Sequence, residues 1–272
     1  MRPHHGDTGP TVRSRDTYVF KPGQFAGRRW AASPVGVRRL RTGSLRRARP
    51  FEPGYGADVD DTMPTVHAVS LATVDGLTLD GDLALPTDPW AAAVVAHPHP
   101  PSGGDRHSPV VDAVFRGLAV AGVAVVRFDF RGVGDSEGEH DDGQGERLDV
   151  IAALDLAADV VAHESLGAPL VLVGYSFGGR VVLDVTDERL AGWCAIAGAG
   201  RAELLAGADH RPKLLLVPAH DQYAAPSVVA DLTADWRNTT RVTIPMADHF
   251  LAGALERVAD DVLGFVRSLV VR

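Results

Sequence analysis

From residue 91 onward the chain alternates short apolar runs with stretches of helical period, and this rhythm limits its possible folds more than any other feature. AAAVVAH (91–97), VAVVRFDF (123–130), PLVLVG (169–174), WCAIAG (193–198), KLLLVP (213–218) and RVTIP (241–245) are short enough to read as buried strands. Between them, residues 109–121, 146–163 and 226–236 carry apolar side chains at helical spacing, a helix begins near Phe177, and another fills 251–270. A strand that is apolar at every position must be covered on both faces, so the alternation calls for a mostly parallel sheet between two helical layers. Upstream, VHAVSLATV and LTLDGDLAL flank Asp75-Gly76, which predicts an antiparallel hairpin. In an open parallel sheet, reactive groups gather beyond the C-terminal ends of the strands.

Several polar residues fall at those ends. VLVGYSFGG (171–179) sets Ser176 between glycines directly after an apolar run. The spacing predicts a strand that turns abruptly into a helix, with Gly174 and Gly178 removing side chains that would clash and Ser176 exposed at the apex. A neutral hydroxyl is a weak nucleophile; it needs a general base, and the base needs an acid to fix its tautomer. Asp221 follows KLLLVP and His249 follows RVTIP, so both are expected in loops on the same sheet edge as Ser176. Asp248 is the rival acid and His220 the rival base, but neighbours in sequence rarely present their side chains to each other correctly. An oxyanion would be held by backbone N–H groups, one from Phe177, the residue after the nucleophile. In HPHPPSGG (97–104) the prolines have no N–H, which makes His99 the second candidate donor.

GYSFGG, FDFRGVGDSEG (128–138), AHPHPPSGG (96–104), Asp221 after its strand, and ADHF (247–250) together resemble the α/β-hydrolase superfamily. The resemblance is greatest to its small, nearly lidless bacterial members, the dienelactone-hydrolase-like and serine-aminopeptidase-like hydrolases, and runs from about residue 65 to the C-terminus. It implies a mostly parallel eight-stranded sheet with helices on both faces, a minimal cap or none, no cofactor, and acyl hydrolysis through an acyl-enzyme. Alignment with the usual His-Gly pair of the family also points to His99. The expected function is therefore a serine hydrolase acting on a small ester, thioester or amide with water. Acyl transfer or perhydrolysis would use the same triad with another second nucleophile, and a non-catalytic binding protein would retain only the pocket. The 199–212 connection is too short for a large lid.

Other readings of the same residues are weaker. His97, His99, Asp105 and His107 have metal-ligating chemistry, yet the loop's prolines and the triad give them a simpler role, and no metal is expected. Cys194 falls in a predicted strand rather than at the serine turn, where a small buried hydrophobe is the default. Asp135, Glu137, Glu139, Asp141 and Asp142 form an acidic run expected to be solvated surface, with Arg131 and Asp135 bracing the loop.

Charge divides the chain. Residues 1–50 hold 12 Arg and Lys against Asp7 and Asp16, which leaves 15 basic against 33 acidic residues in the remainder. So acidic a folded part has no cationic excess with which to bind nucleic acid. Residues 1–62 lack any sustained apolar period and are expected to be a disordered basic extension, with Met63 an alternative start and 63–272 the folded domain. No apolar run reaches the length of a membrane span, and the N-terminus has no secretory apolar core. With a single cysteine no intramolecular disulfide can form, which is compatible with the cytoplasmic location expected here.

Overall fold

The computed structural model describes residues 63–270, apart from 166, 200 and 202, together with the backbone of the short strand Tyr18–Phe20. That strand is β1; the others are β2 (Thr65–Ala72), β3 (Thr78–Leu85), β4 (Ala91–Ala96), β5 (Val123–Phe128), β6 (Leu170–Tyr175), β7 (Leu190–Ile196), β8 (Lys213–His220) and β9 (Thr239–Asp248). The helices are α1 (Pro109–Val120), α2 (Glu146–Glu164), α3 (Phe177–Leu183), α4 (Pro226–Leu232) and α5 (Leu255–Ser268). The strands form one mixed sheet in the order β1-β2-β3-β5-β4-β6-β7-β8-β9. The eight strands from β2 onward are the eight-stranded sheet that the α/β-hydrolase resemblance implies. β1 adds a ninth at the edge, parallel to β2, through the register Tyr18↔Val69 to Phe20↔Leu71. The expectation for the rest of residues 1–62 falls outside the described residues.

β2 and β3 are the predicted hairpin, antiparallel from Thr65↔Leu85 to Ala72↔Thr78, and Gly76 takes the left-handed φ of 91° that its turn requires. From β5 to β9 every neighbouring pair is parallel. The two faces are divided by the strand period of two. Ala92, Val94 and Ala96 of β4 join Val150, Leu154 and Val181 in the core beneath α2 and α3. Ala91, Ala93 and Val95 join Val111, Phe115, Val258 and Val262 beneath α1 and α5. This is why β4, β5 and β6 are buried at all six of their positions and why their sequences show no alternation.

The strand order reverses at β4. The chain leaves β4, returns through α1 as β5 on one side, then crosses through α2 to pair as β6 on the other. A crevice therefore opens between the loops that follow β4 and β6, which is where such sheets place their chemistry. Among the described residues the β7–β8 connection contains only the 3-10 turn Leu205–Ala208, and none of them builds a cap domain over that crevice.

Candidate active site

Ser176 is the last residue before α3 and has φ 54° and ψ −115°, a conformation that is costly for any residue with a Cβ. The turn holds because two glycines admit backbone where a side chain would stand. A Cβ on Gly174 would lie 2.3 Å from the Gly178 carbonyl oxygen, and one on Gly178 would lie 2.5 Å from the carbonyl oxygens of both Ala96 and His97. The second approach presses the start of α3 against the end of β4 and brings Ser176 to the crevice.

Ser176 Oγ is 2.8 Å from His249 Nε2, and His249 Nδ1 is 2.9 Å from Asp221 Oδ2. The three residues come from the ends of β6, β9 and β8 and form a Ser-His-Asp triad in one line of hydrogen bonds. Asp221 and His249 are each only 7% exposed. Asp221 Oδ1 accepts the N–H groups of Tyr223 and Ala224 at 2.8 and 3.2 Å, which fixes the carboxylate with its other oxygen toward the imidazole. The rival residues lie elsewhere: Asp248 is exposed and accepts the N–H of Phe250, and His220 is exposed at the end of β8.

Three contacts on His249 were not legible in the sequence. The Tyr175 hydroxyl donates to the His249 carbonyl at 3.0 Å, and burial raises that phenol to about 12, so it stays a donor at every ordinary pH. The His249 N–H donates to Gln222 Oε1 at 3.3 Å. The Tyr223 ring meets the imidazole edge-on at 4.5 Å while remaining largely exposed, and the exposed Phe250 ring lies 5.9 Å from the same imidazole.

The loop after β4 is built around His97, which is fully buried. Its Nε2 accepts the Phe130 N–H at 3.0 Å, and its Nδ1 donates to the Pro98 carbonyl at 2.7 Å. A carbonyl can only accept and an amide can only donate, so the ring is held as the neutral Nδ1–H tautomer. Burial lowers it to about 4. His97 thus bolts the β4 loop to the end of β5. The predicted metal alternative does not assemble, since His97, His99, Asp105 and His107 do not converge on one point. In the same loop the N–H groups of Ser102, Gly103 and Gly104 donate to the carbonyls of His99, Pro100 and His99. Among the described residues the His99 N–H has no acceptor. Phe177 opens α3, and its N–H is one of the first-turn donors that no helical carbonyl can satisfy.

Arg131 braces its loop across the fold. Its guanidinium lies 2.7 Å from Asp149 Oδ1 of α2 and 3.0 Å from Asp75 Oδ2 of the β2–β3 turn, rather than against Asp135. Both partners are distant in sequence, and no local pattern could have named them. Cys194 is fully buried in β7, and burial pushes its thiol upward, which leaves it inert.

A reversing α/β sheet, a serine at a strained strand-to-helix turn and a connected Ser-His-Asp line are features of the α/β-hydrolase fold. The chain is a member of the α/β-hydrolase superfamily, and comparisons with known proteins agree. The sequence profile of the family described as serine aminopeptidase, S33 matches residues 91–202, a segment that contains the serine turn. An α/β serine hydrolase homologue from Coxiella burnetii is similar at TM-score 0.65 and 26% identity, over 73% of this chain and 96% of its own. A serine hydrolase without lid from Xanthomonas campestris is similar at TM-score 0.62 and 28% identity, over 82% and 96%. An uncharacterized protein of Rickettsia prowazekii is 35% identical over 112 residues, which are 41% of this chain and 46% of that protein. The chain thus spans less than half the length of that curated relative.

Proposed function

We propose that this chain hydrolyses a small ester, thioester or amide, with Ser176 as nucleophile, His249 as general base and then general acid, and Asp221 as the group that orients His249. His249 takes the Ser176 proton as Oγ attacks the acyl carbon, and returns it to the leaving group as the tetrahedral intermediate collapses. Water, deprotonated by the same imidazole, then releases the acyl group. The N–H groups of Phe177 and His99 hold the oxyanion. What carries this reading is the unbroken line from Ser176 Oγ through His249 to Asp221 Oδ2, at 2.8 and 2.9 Å. The unpartnered His99 N–H, in a loop whose other N–H groups are taken, supports the second oxyanion donor.

The open crevice favours short acyl groups, and the exposed rings of Tyr223 and Phe250 beside His249 give an apolar part of the substrate somewhere to lie. The reaction unit is residues 63–272, and the single buried cysteine fits a cytoplasmic setting. The test is an ester panel varied separately in acyl and alcohol parts, with fluorophosphonate labelling of wild type and Ser176→Ala. Wild type should label and turn over, and Ser176→Ala should do neither while keeping its melting temperature. A folded Ser176→Ala that hydrolyses at the wild-type rate would remove the assignment. A rate that rises sharply past the solubility limit of a long-chain ester would contradict the open site.

A further inference from the structure

Against Phe177, the residue that follows Ser176, two histidines and an aspartate from two loops face one another. His99, from the loop after β4, and His140 and Asp142, from the segment before α2, each offer one ligand atom, and these atoms lie within 4.8 Å of one another. The His99 and His140 rings are 5.2 Å apart and both rest edge-on or tilted against Phe177, at 5.6 and 5.2 Å.

Each histidine has a polar neighbour at its other nitrogen. His99 Nδ1 lies 2.9 Å from Ser102 Oγ, a bond that leaves Nε2 available. His140 Nδ1 is 2.7 Å from Oε1 of the fully buried Glu146. That contact has the separation of a hydrogen bond but not its direction: both His140 ring nitrogens are shielded from water, and neither makes a hydrogen bond of normal geometry. His140 Nε2 stands 3.4 Å from Asp142 Oδ1. Two ligands on a tetrahedral zinc, at ordinary Zn–N and Zn–O lengths, are about 3.3 Å apart. A carboxylate behind a ligating histidine is also the arrangement that fixes ring orientation in zinc sites. The neighbouring cation, Arg180, donates to the Asp142 carbonyl oxygen at 3.0 Å and leaves the carboxylate free.

We propose that His99, His140 and Asp142 bind a divalent ion of the zinc class, with Glu146 supporting His140 from behind and the fourth position open to water. His99 would ligate through Nε2, the nitrogen that its bond to Ser102 leaves available. The ion would tie the loop after β4 to the segment before α2 across Phe177, which couples its occupancy to the loop that presents the His99 N–H. Its ligands are distinct from the triad side chains, so zinc binding can be read without turnover.

The test is calorimetric titration of the full chain with Zn²⁺, with Co²⁺ absorption as a geometric signature and Mg²⁺ as a hard-ion control. Wild type and Ser176→Ala should bind zinc alike, show the visible d–d bands of a four-coordinate nitrogen and oxygen site with Co²⁺, and melt at a higher temperature with zinc present. His140→Ala and Asp142→Asn should lose that binding event, and Glu146→Gln should weaken it by about 10–100-fold. Asp142 is 92% exposed in its side chain, so Asp142→Asn keeps the fold even if His140→Ala does not. Zinc bound with unchanged affinity by both Asp142→Asn and His140→Ala would place the ion on other histidines and overturn the site. So would an absence of zinc binding to wild type.

Discussion

Asp221→Asn tests how the acid works as well as whether it matters. Asparagine has nearly the shape of aspartate, but one of its two ends is now a donor. The N–H groups of Tyr223 and Ala224 point at one end of this side chain at 2.8 and 3.2 Å, and only an oxygen can sit there without setting donor against donor. The amide NH₂ is therefore forced to face His249 Nδ1, where the Asp221 carboxylate now lies at 2.9 Å. Nδ1 must then accept, the ring proton moves to Nε2, and Nε2 donates to Ser176 Oγ instead of taking its proton. The imidazole would be in the right place and the wrong tautomer. A change of this kind in a serine triad costs about 10⁴-fold in kcat, which corresponds to about 5.5 kcal/mol of activation free energy. Because the two loop hydrogen bonds survive, the melting temperature should stay close to that of wild type. The assay is steady-state hydrolysis of a chromogenic short-chain ester alongside calorimetric melting. An Asp221→Asn protein with wild-type stability and kcat within tenfold of wild type would refute the tautomer argument.

Three further outcomes can be measured. Gly178→Ala sets a methyl group against two backbone carbonyl oxygens that cannot move aside, and overpacking of that kind costs about 1–3 kcal/mol or more; melting should show a clear loss of stability and, since the serine turn is displaced, a loss of turnover. Tyr175→Phe leaves the His249 carbonyl without its donor, for about 1–3 kcal/mol of stability; a chemical denaturation midpoint equal to wild type would contradict the structural role of that hydroxyl. His97, lowered to about 4 by burial, is neutral in the folded chain where an unfolded histidine near 6.5 would already be protonated. Its contribution is therefore present above about pH 6.5 and is lost as pH falls from there toward about 4, a change of order 3 kcal/mol. The slope of stability against pH over that window should be shallower in His97→Asn than in wild type.

The strands, the hairpin and the serine turn were legible because each is dictated locally. Six successive apolar residues admit one environment, and Gly174 and Gly178 are forced by contacts within a few residues of Ser176 or at the end of the adjoining strand. The order Ser176, Asp221, His249 could also be read, because each follows an apolar run and the sheet brings those runs to one edge. What could not be read was lateral. Arg131 finds Asp75 and Asp149 across the fold, Tyr175 reaches a carbonyl 74 residues away, and His140 meets His99 only because two loops close over Phe177. Nothing in a period or a motif encodes which side chains meet when loops converge. His97 is the instructive case. Its residue type suggested a ligand, while its surroundings, one donor and one acceptor in a sealed space, make it a brace.

The placement of His249 has a consequence for how the protein fails. Among the described residues its strand, β9, has one neighbour instead of two, and of its ten residues only Ile244 and Ala247 are buried. Ser176, in contrast, is anchored to β6 in the middle of the sheet, where every residue is sealed. Edge segments with few buried contacts open at lower free energy than the body of a domain. Fraying of β9 would carry the imidazole away from a serine that had not moved, so heat or denaturant should silence the chemistry before it dissolves the fold. Amide exchange should accordingly find β9 less protected than β4 and β6, with inactivation following the opening of that margin rather than the melting of the whole.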